Sequence, residues 1–161
     1  MSSQIQTEPL TAGAFAPFGD VLDLTGPPDK MINAGLCGRY HDRAILDFAE
    51  DGRAGISLFD AQPRSLPYTF DLLERHPEGS QAFLPMTAHP FLVIAAPDEG
   101  GRPGLPRAFL TEPHQGVNFH RGTWHGVLTP LHAPGLFAVI DRIGSGVNLE
   151  EVRLPTSYTV R

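Results

Sequence analysis

The sequence predicts an all-β fold whose antiparallel strands close into a barrel or jelly roll, with a few short helices. Three observations lead there. Short apolar runs rich in Val, Ile, Leu and Phe recur along the chain. Seventeen glycines and sixteen prolines among 161 residues punctuate them, and these residues favour turns over long helices. No stretch carries the ~10–15-residue helical periodicity that separates parallel strands in βαβ units.

Taken in order, Thr11 is placed to cap a short helix over residues 12–18, with Gly19 in the C′ position that favours a left-handed backbone. Strands are expected at residues 55–59, 81–84, 91–95, 107–110, 116–119 and 136–140, several with the apolar density of a buried sheet. Residues 97–106, Pro-Asp-Glu-Gly-Gly-Arg-Pro-Gly-Leu-Pro, read as a loop between strands, because apolar strand pattern resumes at once after them. No internal repeat or low-complexity segment is present. The length suits a single domain spanning residues 1–161, long enough to bury a core without cross-links.

The net charge of −6, with no dense Lys/Arg block, argues against nucleic acid as a partner, since a phosphate backbone would be repelled before any specific contact formed. No apolar stretch approaches the roughly 20 residues that span a bilayer, and the first residues lack a basic and then apolar signal. A cytoplasmic protein with no membrane partner is the expectation. Cys37 is the only cysteine, so no intrachain disulfide forms and a reducing compartment is natural. His41 lies near Cys37 in sequence, but a lone cysteine is more often a small buried or incidental residue, and Cys37 is read so.

Chemistry concentrates in two polar clusters set among the apolar runs. Residues 74–81 read E-R-H-P-E-G-S-Q, and residues 120–125 read H-R-G-T-W-H. Side chains two apart on a strand share a face, so Glu74 and His76 point the same way. Glu74-x-His76 followed after four residues by Gln81 has the spacing of the cupin metal motif H-x-H-x4-E with two ligands exchanged. Arg121-Gly-Thr-Trp-His125 resembles the second cupin motif, P-x-G-x-x-H, with His125 in the ligand position. The cupin resemblance selects the jelly roll.

The resemblance extends further. The stretches over residues 74–86, 115–125 and 140–142, together with 15–21, 32–35, 39–42 and 61–63, resemble the ureidoglycolate lyase family of allantoin catabolism, covering the chain from about Phe15 to Asp141. Phe119, Gly126 and Ala34 depart from that pattern, where a tyrosine, a second histidine and a second asparagine are common. The resemblance implies a carbon–nitrogen lyase that cleaves (S)-ureidoglycolate into glyoxylate and urea, and it implies a homodimer. No nucleophile or organic cofactor is needed for such an elimination.

The candidate residues follow from both clusters. Glu74, His76, Gln81 and His125 can surround a divalent ion, nickel or zinc, or the substrate itself; Gln81 is a weaker donor than the glutamate it would replace. The other reading is a hydrogen-bonded polar network inside the barrel with no ion. His76, His120 and His125 are candidate catalytic groups, with His120 a proton acceptor near neutral pH or a turn cap. Arg39, Glu74, Gln81 and Arg142 are candidate substrate ligands. Any of Arg39, Arg75, Arg121 and Arg142 can clamp a carboxylate, or can equally form a surface ion pair. Trp124 is expected to pack at the barrel mouth with a partner for its indole N–H, and His41, His89, His114 and His132 are read as exposed or packing residues. Two other readings stand beside the lyase: a metal-dependent cupin oxygenase or isomerase, and a non-catalytic module that binds a small acid.

Overall fold

The computed structural model describes residues 2–161, and its regular secondary structure is almost wholly strand. One sheet has the strand order β1 (Ser3–Ile5), β15 (Glu150–Val160), β7 (Tyr68–Arg75), β12 (Trp124–His125), β9 (Phe91–Ala96), β10 (Arg107–Leu110) and β2 (Thr7–Pro9), with β13 (Thr129–Pro130) also on β9. The other runs β3 (Gly19–Leu22), β11 (Gly116–Phe119), β8 (Gln81–Pro85), β14 (Gly135–Ile143) and β6 (Arg53–Ala61). A small hairpin of β4 (Lys30–Ile32) and β5 (Cys37–Arg39) stands outside both. The result is the cupin-like, nearly closed barrel expected from the sequence. Its pairings are antiparallel except at the N-terminal end, where β1 runs parallel to β15 and β2 parallel to β10.

Alternation along the strands decides what lies inside. Phe83, Val117, Phe119, Phe137 and Val139 of the second sheet meet Phe91, Val93, Ala95 and Phe109 of the first in one apolar core, closed at one side by Leu10, Phe15 and Phe18. The intervening residues Leu92, Ile94 and Ala96 join Phe70, Leu73, Trp124 and Val160 in a second cluster on the opposite face of β9. β9 is therefore buried on both faces, which is why it reads as an unbroken apolar run rather than an alternating one.

Thr11 caps the helix as expected, accepting a hydrogen bond from the Ala14 N–H at 3.2 Å. The helix itself, α1 (Ala12–Phe15), is shorter than residues 12–18. Gly19 is not its left-handed cap but the first residue of β3, paired with Phe119. A Cβ there would lie 1.9 Å from the Asn118 carbonyl oxygen, so glycine is required by close backbone approach rather than by φ. The loop over residues 97–106 does connect β9 to β10, closed by an isolated bridge between Asp98 and Pro103.

Candidate functional site

β7 and β12 meet through a single register pair, His125 opposite Glu74, and His125 also lies opposite Ala95. Ala95 belongs to the inter-sheet core while Leu73 and Trp124 belong to the opposite cluster. Alternation therefore turns Glu74 and His125 into the barrel. From the facing sheet, Gln81 pairs with Phe119 on one side and Asp141 on the other, and shares its face with the core residue Phe83. Both halves of the sequence pattern thus aim at one end of the barrel interior.

Glu74, His76 and His125 form the metal-competent group, with one ligand atom from each lying within 4.8 Å of the others. The ring centres of His76 and His125 are 5.2 Å apart. Two imidazoles sharing one ion at N–metal distances of about 2.0–2.1 Å place their ring centres about 5 Å apart, so the spacing suits a common ligand. The Nδ1 of His76 lies 2.7 Å from the Asn148 carbonyl oxygen, and that of His125 lies 2.9 Å from the Gly126 carbonyl oxygen. A carbonyl only accepts, so both Nδ1 atoms carry the proton and both Nε2 atoms present lone pairs. Those two Nε2 atoms are buried without a partner, as is the Oε1 of Gln81. Two buried imidazole acceptors grouped with a carboxylate form an arrangement a cation satisfies, and the donor set fits a divalent ion.

The electrostatics are those of a partly buried, carboxylate-bearing site. Burial pushes the His125 imidazole down to about 3, the neighbouring His76 adds to the shift, and the Gly126 carbonyl opposes it. His125 is thereby held neutral across the physiological range. Burial also raises the Glu74 carboxyl above the ordinary carboxylate range; His76 pulls it down, and Glu151, directly across the strand pair, pushes it up. The Phe119 ring stacks on His125 at 4.3 Å between centroids and lays an apolar face over the imidazole.

The remaining sequence candidates stand outside the Glu74–His76–His125 group, Gln81 on the facing strand and the others further off. Gln81 donates from Nε2 to Asp141 Oδ2 at 3.2 Å and keeps its carbonyl oxygen free. His120 sits outside the cluster, half-exposed, with Nε2 donating to Asp20 Oδ1 at 3.3 Å. Its turn is nonetheless tied to the site, because the Gly122 N–H donates to the His76 carbonyl at 3.0 Å. Gly122 has φ +77°, which is the reason for glycine in that turn. Arg142 is buried, donating from Nη2 to Asp51 and from Nη1 to the Ser145 carbonyl at 3.1 Å. Arg39 stands on the exposed hairpin beside His41, 2.9 Å from its Nδ1. Arg75 pairs with Asp98 and Glu150, and Arg121 with Asp47 and Glu78. Trp124 is buried and donates its indole N–H to Asp98 at 2.8 Å. Cys37 is exposed. His89 and His132 are exposed and lie together, ring centres 5.3 Å apart.

Two contributors went unread in the sequence. Asp141 lies in a matching stretch but announces no role until the β8–β14 register sets it beside Gln81. Asn148 follows a Gly-Ser-Gly-Val loop that carries no chemical pattern at all. Among the described residues, no helix is long and apolar enough to cross a membrane.

Comparison with known proteins points to one family. A family model described as ureidoglycolate lyase matches residues 2–161. A ureidoglycolate lyase of Rhodobacter capsulatus is 63% identical over 157 residues, covering 98% of each chain. One from Chelativorans sp. is 51% identical over 158 residues, 98% of this chain and 96% of that one. Ureidoglycolate lyase 2 of Rhizobium meliloti is 51% identical over 153 residues, 94% of each.

Proposed function

The chain belongs to the ureidoglycolate lyase family, and on that premise we propose that it cleaves (S)-ureidoglycolate into glyoxylate and urea at the Glu74–His76–His125 end of the barrel. The observation that carries the proposal is the pair of buried, unpartnered imidazole Nε2 atoms grouped with the half-buried Glu74 carboxylate. The reaction asks for that equipment. A proton leaves the hydroxyl on the substrate's central carbon, its oxygen becomes the aldehyde carbonyl, and the C–N bond breaks with its electron pair passing to the urea nitrogen, which gains a proton.

His76, with its other nitrogen fixed as a donor to Asn148, has one lone pair at Nε2, which would go to a bound ion and is free to accept the hydroxyl proton only where no ion is held. His125, held neutral by burial, supplies a second fixed lone pair. A divalent ion, nickel or zinc, would be held by Glu74, His76 and His125 with Gln81 Oε1 beside them, and when bound it supplies Lewis-acid polarisation of the substrate's oxygens. The Gln81 carbonyl otherwise accepts from the substrate directly. His120, with its Asp20 partner at the rim, is the candidate for proton delivery to the departing nitrogen. Arg39 and Arg142 are the candidate carboxylate ligands. Arg142 would have to share a guanidinium already bound to Asp51, and Arg39 would have to reach from the outlying hairpin. The reading takes residues 1–161 as one domain acting in the cytoplasm, within allantoin catabolism, without an organic cofactor.

The test is turnover of freshly prepared (S)-ureidoglycolate against a no-enzyme control, following urea, glyoxylate and ammonia together. Urea without ammonia is the expected product pattern; ammonia release would replace the lyase with an amide hydrolase. His76→Ala and His125→Ala should each lower the rate by about 100-fold or more while leaving the circular dichroism spectrum unchanged. Chelation should abolish the rate and a divalent ion restore it.

A further inference from the structure

We propose that Asn148 is a positioning residue for this site, a clip from the β14–β15 loop that fixes both the tautomer and the ring direction of His76. The inference concerns the residue that orients His76 and deepens the reading above, but its central measurement does not depend on the substrate.

His76 lies just beyond the last residue of β7, so its backbone is released from the sheet where its side chain must be most accurately held. Two bonds from one residue replace that support. The Asn148 carbonyl oxygen accepts from His76 Nδ1 at 2.7 Å, and the Asn148 side-chain Oδ1 accepts from the Glu78 N–H, also at 2.7 Å. The first sets the imidazole, and the second ties the main chain two residues on, so the loop cannot slide along the 76–78 segment without breaking one of them. The clip is itself anchored at its base. Arg142 Nη1 donates to the Ser145 carbonyl at 3.1 Å, and Asp51 receives both the Arg142 guanidinium and the Ser145 hydroxyl. A side chain on Gly144 would meet the Arg142 guanidinium at 2.6 Å, and one on Gly79 would meet the Arg142 Cβ at 2.8 Å, so the loop base and the 76–79 segment both close tightly on this arginine. Arg142 therefore acts on the loop that orients His76.

The consequence is specific. Asn148 does not touch the reacting atoms, yet it determines that His76 presents Nε2, rather than Nδ1, toward His125. Without the side-chain bond to Glu78, the carbonyl is free to drift and the imidazole proton distributes over both nitrogens. Outer partners of this kind typically change activity or ligand affinity by about 10–100-fold.

The experiment compares Asn148→Leu, which keeps the volume and loses the acceptor, with Asn148→Asp, which keeps it. Long-range 1H–15N NMR of the full chain at neutral pH should report His76 as the Nδ1–H form in the unmodified protein. It should report a mixed form in Asn148→Leu and the Nδ1–H form again in Asn148→Asp. Turnover of ureidoglycolate should fall about 10-fold in kcat with little change in KM for Asn148→Leu, and recover in Asn148→Asp. An unchanged His76 tautomer and kcat in Asn148→Leu, with only a lower unfolding midpoint, would overturn the inference and leave Asn148 as a loop tie. A tautomer that shifts in a protein with no lyase activity would uphold the clip and reject the substrate assignment instead.

Discussion

His125 is where acid should first be felt. It is 2% exposed, its imidazole is pushed down to about 3, and an unfolded chain returns it to the ordinary value near 6.5. Between those values the unfolded state binds the extra proton, so this contribution to stability is complete above about pH 6.5 and is lost progressively as pH falls toward 3. A shift of that size corresponds to a few kcal/mol. Urea unfolding at pH 7.5, 6, 5 and 4 should show a steep decline that His125→Leu lacks; parallel curves for the two proteins would remove His125 as the cause. Glu74 works in the opposite direction. Its raised value means that ionising it in the fold is disfavoured, so any stability it lends is present at low pH and lost as pH rises through its folded value. At neutral pH the Glu74 charge is thus a cost within the metal-free site, one that a bound cation offsets. Glu74→Gln should raise the unfolding temperature of the chelated protein while lowering turnover at least 10-fold, in keeping with a residue kept for chemistry rather than for stability.

Gly19 shows the same trade at the level of an element. The strand it opens holds Asp20, whose carboxylate accepts from Asn118 Nδ2 at 3.0 Å, from the Ile45 N–H at 3.2 Å and from His120 at 3.3 Å. With the Asn118 carbonyl 1.9 Å from where a Cβ would stand, Gly19→Ala must push β3 away from β11. The expected cost is about 1–3 kcal/mol by urea unfolding, with a loosened Asp20–His120 contact. Gly13, inside the helix with nothing within 4 Å of its would-be Cβ, is the control, and Gly13→Ala should stabilise by about 0.5–1 kcal/mol. Elements also explain what could be read from the sequence. β8, β9, β10 and β11 announced themselves because burial demands dense apolar residues. β15 did not, because Pro155 interrupts it and the pairing with β7 shifts between Arg153 and Tyr158. The β4–β5 hairpin has no core face and so no periodicity to read. The site divides along the same line: the grouping of Glu74, His76 and His125 could be anticipated because each belongs to a short local cluster in the sequence. Asn148 acts through a backbone carbonyl brought 72 residues along the chain, and any residue type has one.

At the scale of the whole molecule, the second sheet ends on β6, which among the described residues pairs only with β14 and leaves its other edge open. Alternation sends Phe59, Phe83, Phe137 and Val139 inward, and the same alternation puts Ile56 and Leu58 outward, opposite Ile140 and Ala138, with Leu84 opposite Ala138 on the next strand. Ile56 is 76% and Leu58 67% exposed. A continuous apolar field beside an unpaired strand edge invites association. A second copy related by a two-fold axis would bury that face on both partners at once, which supports the homodimer implied by the family resemblance. Sedimentation of the protein at micromolar concentration should give about twice the mass of 17.5 kDa, and Ile56→Asp with Leu58→Asp should return it to one. A monomeric parent protein would reject this arrangement. Because Glu74, His76 and His125 all come from one chain, the dissociated double variant should keep turnover within about 2-fold, a change of only ~0.4 kcal/mol in barrier. A folded monomer that has lost its activity would mean instead that the partner's surface contributes to the site.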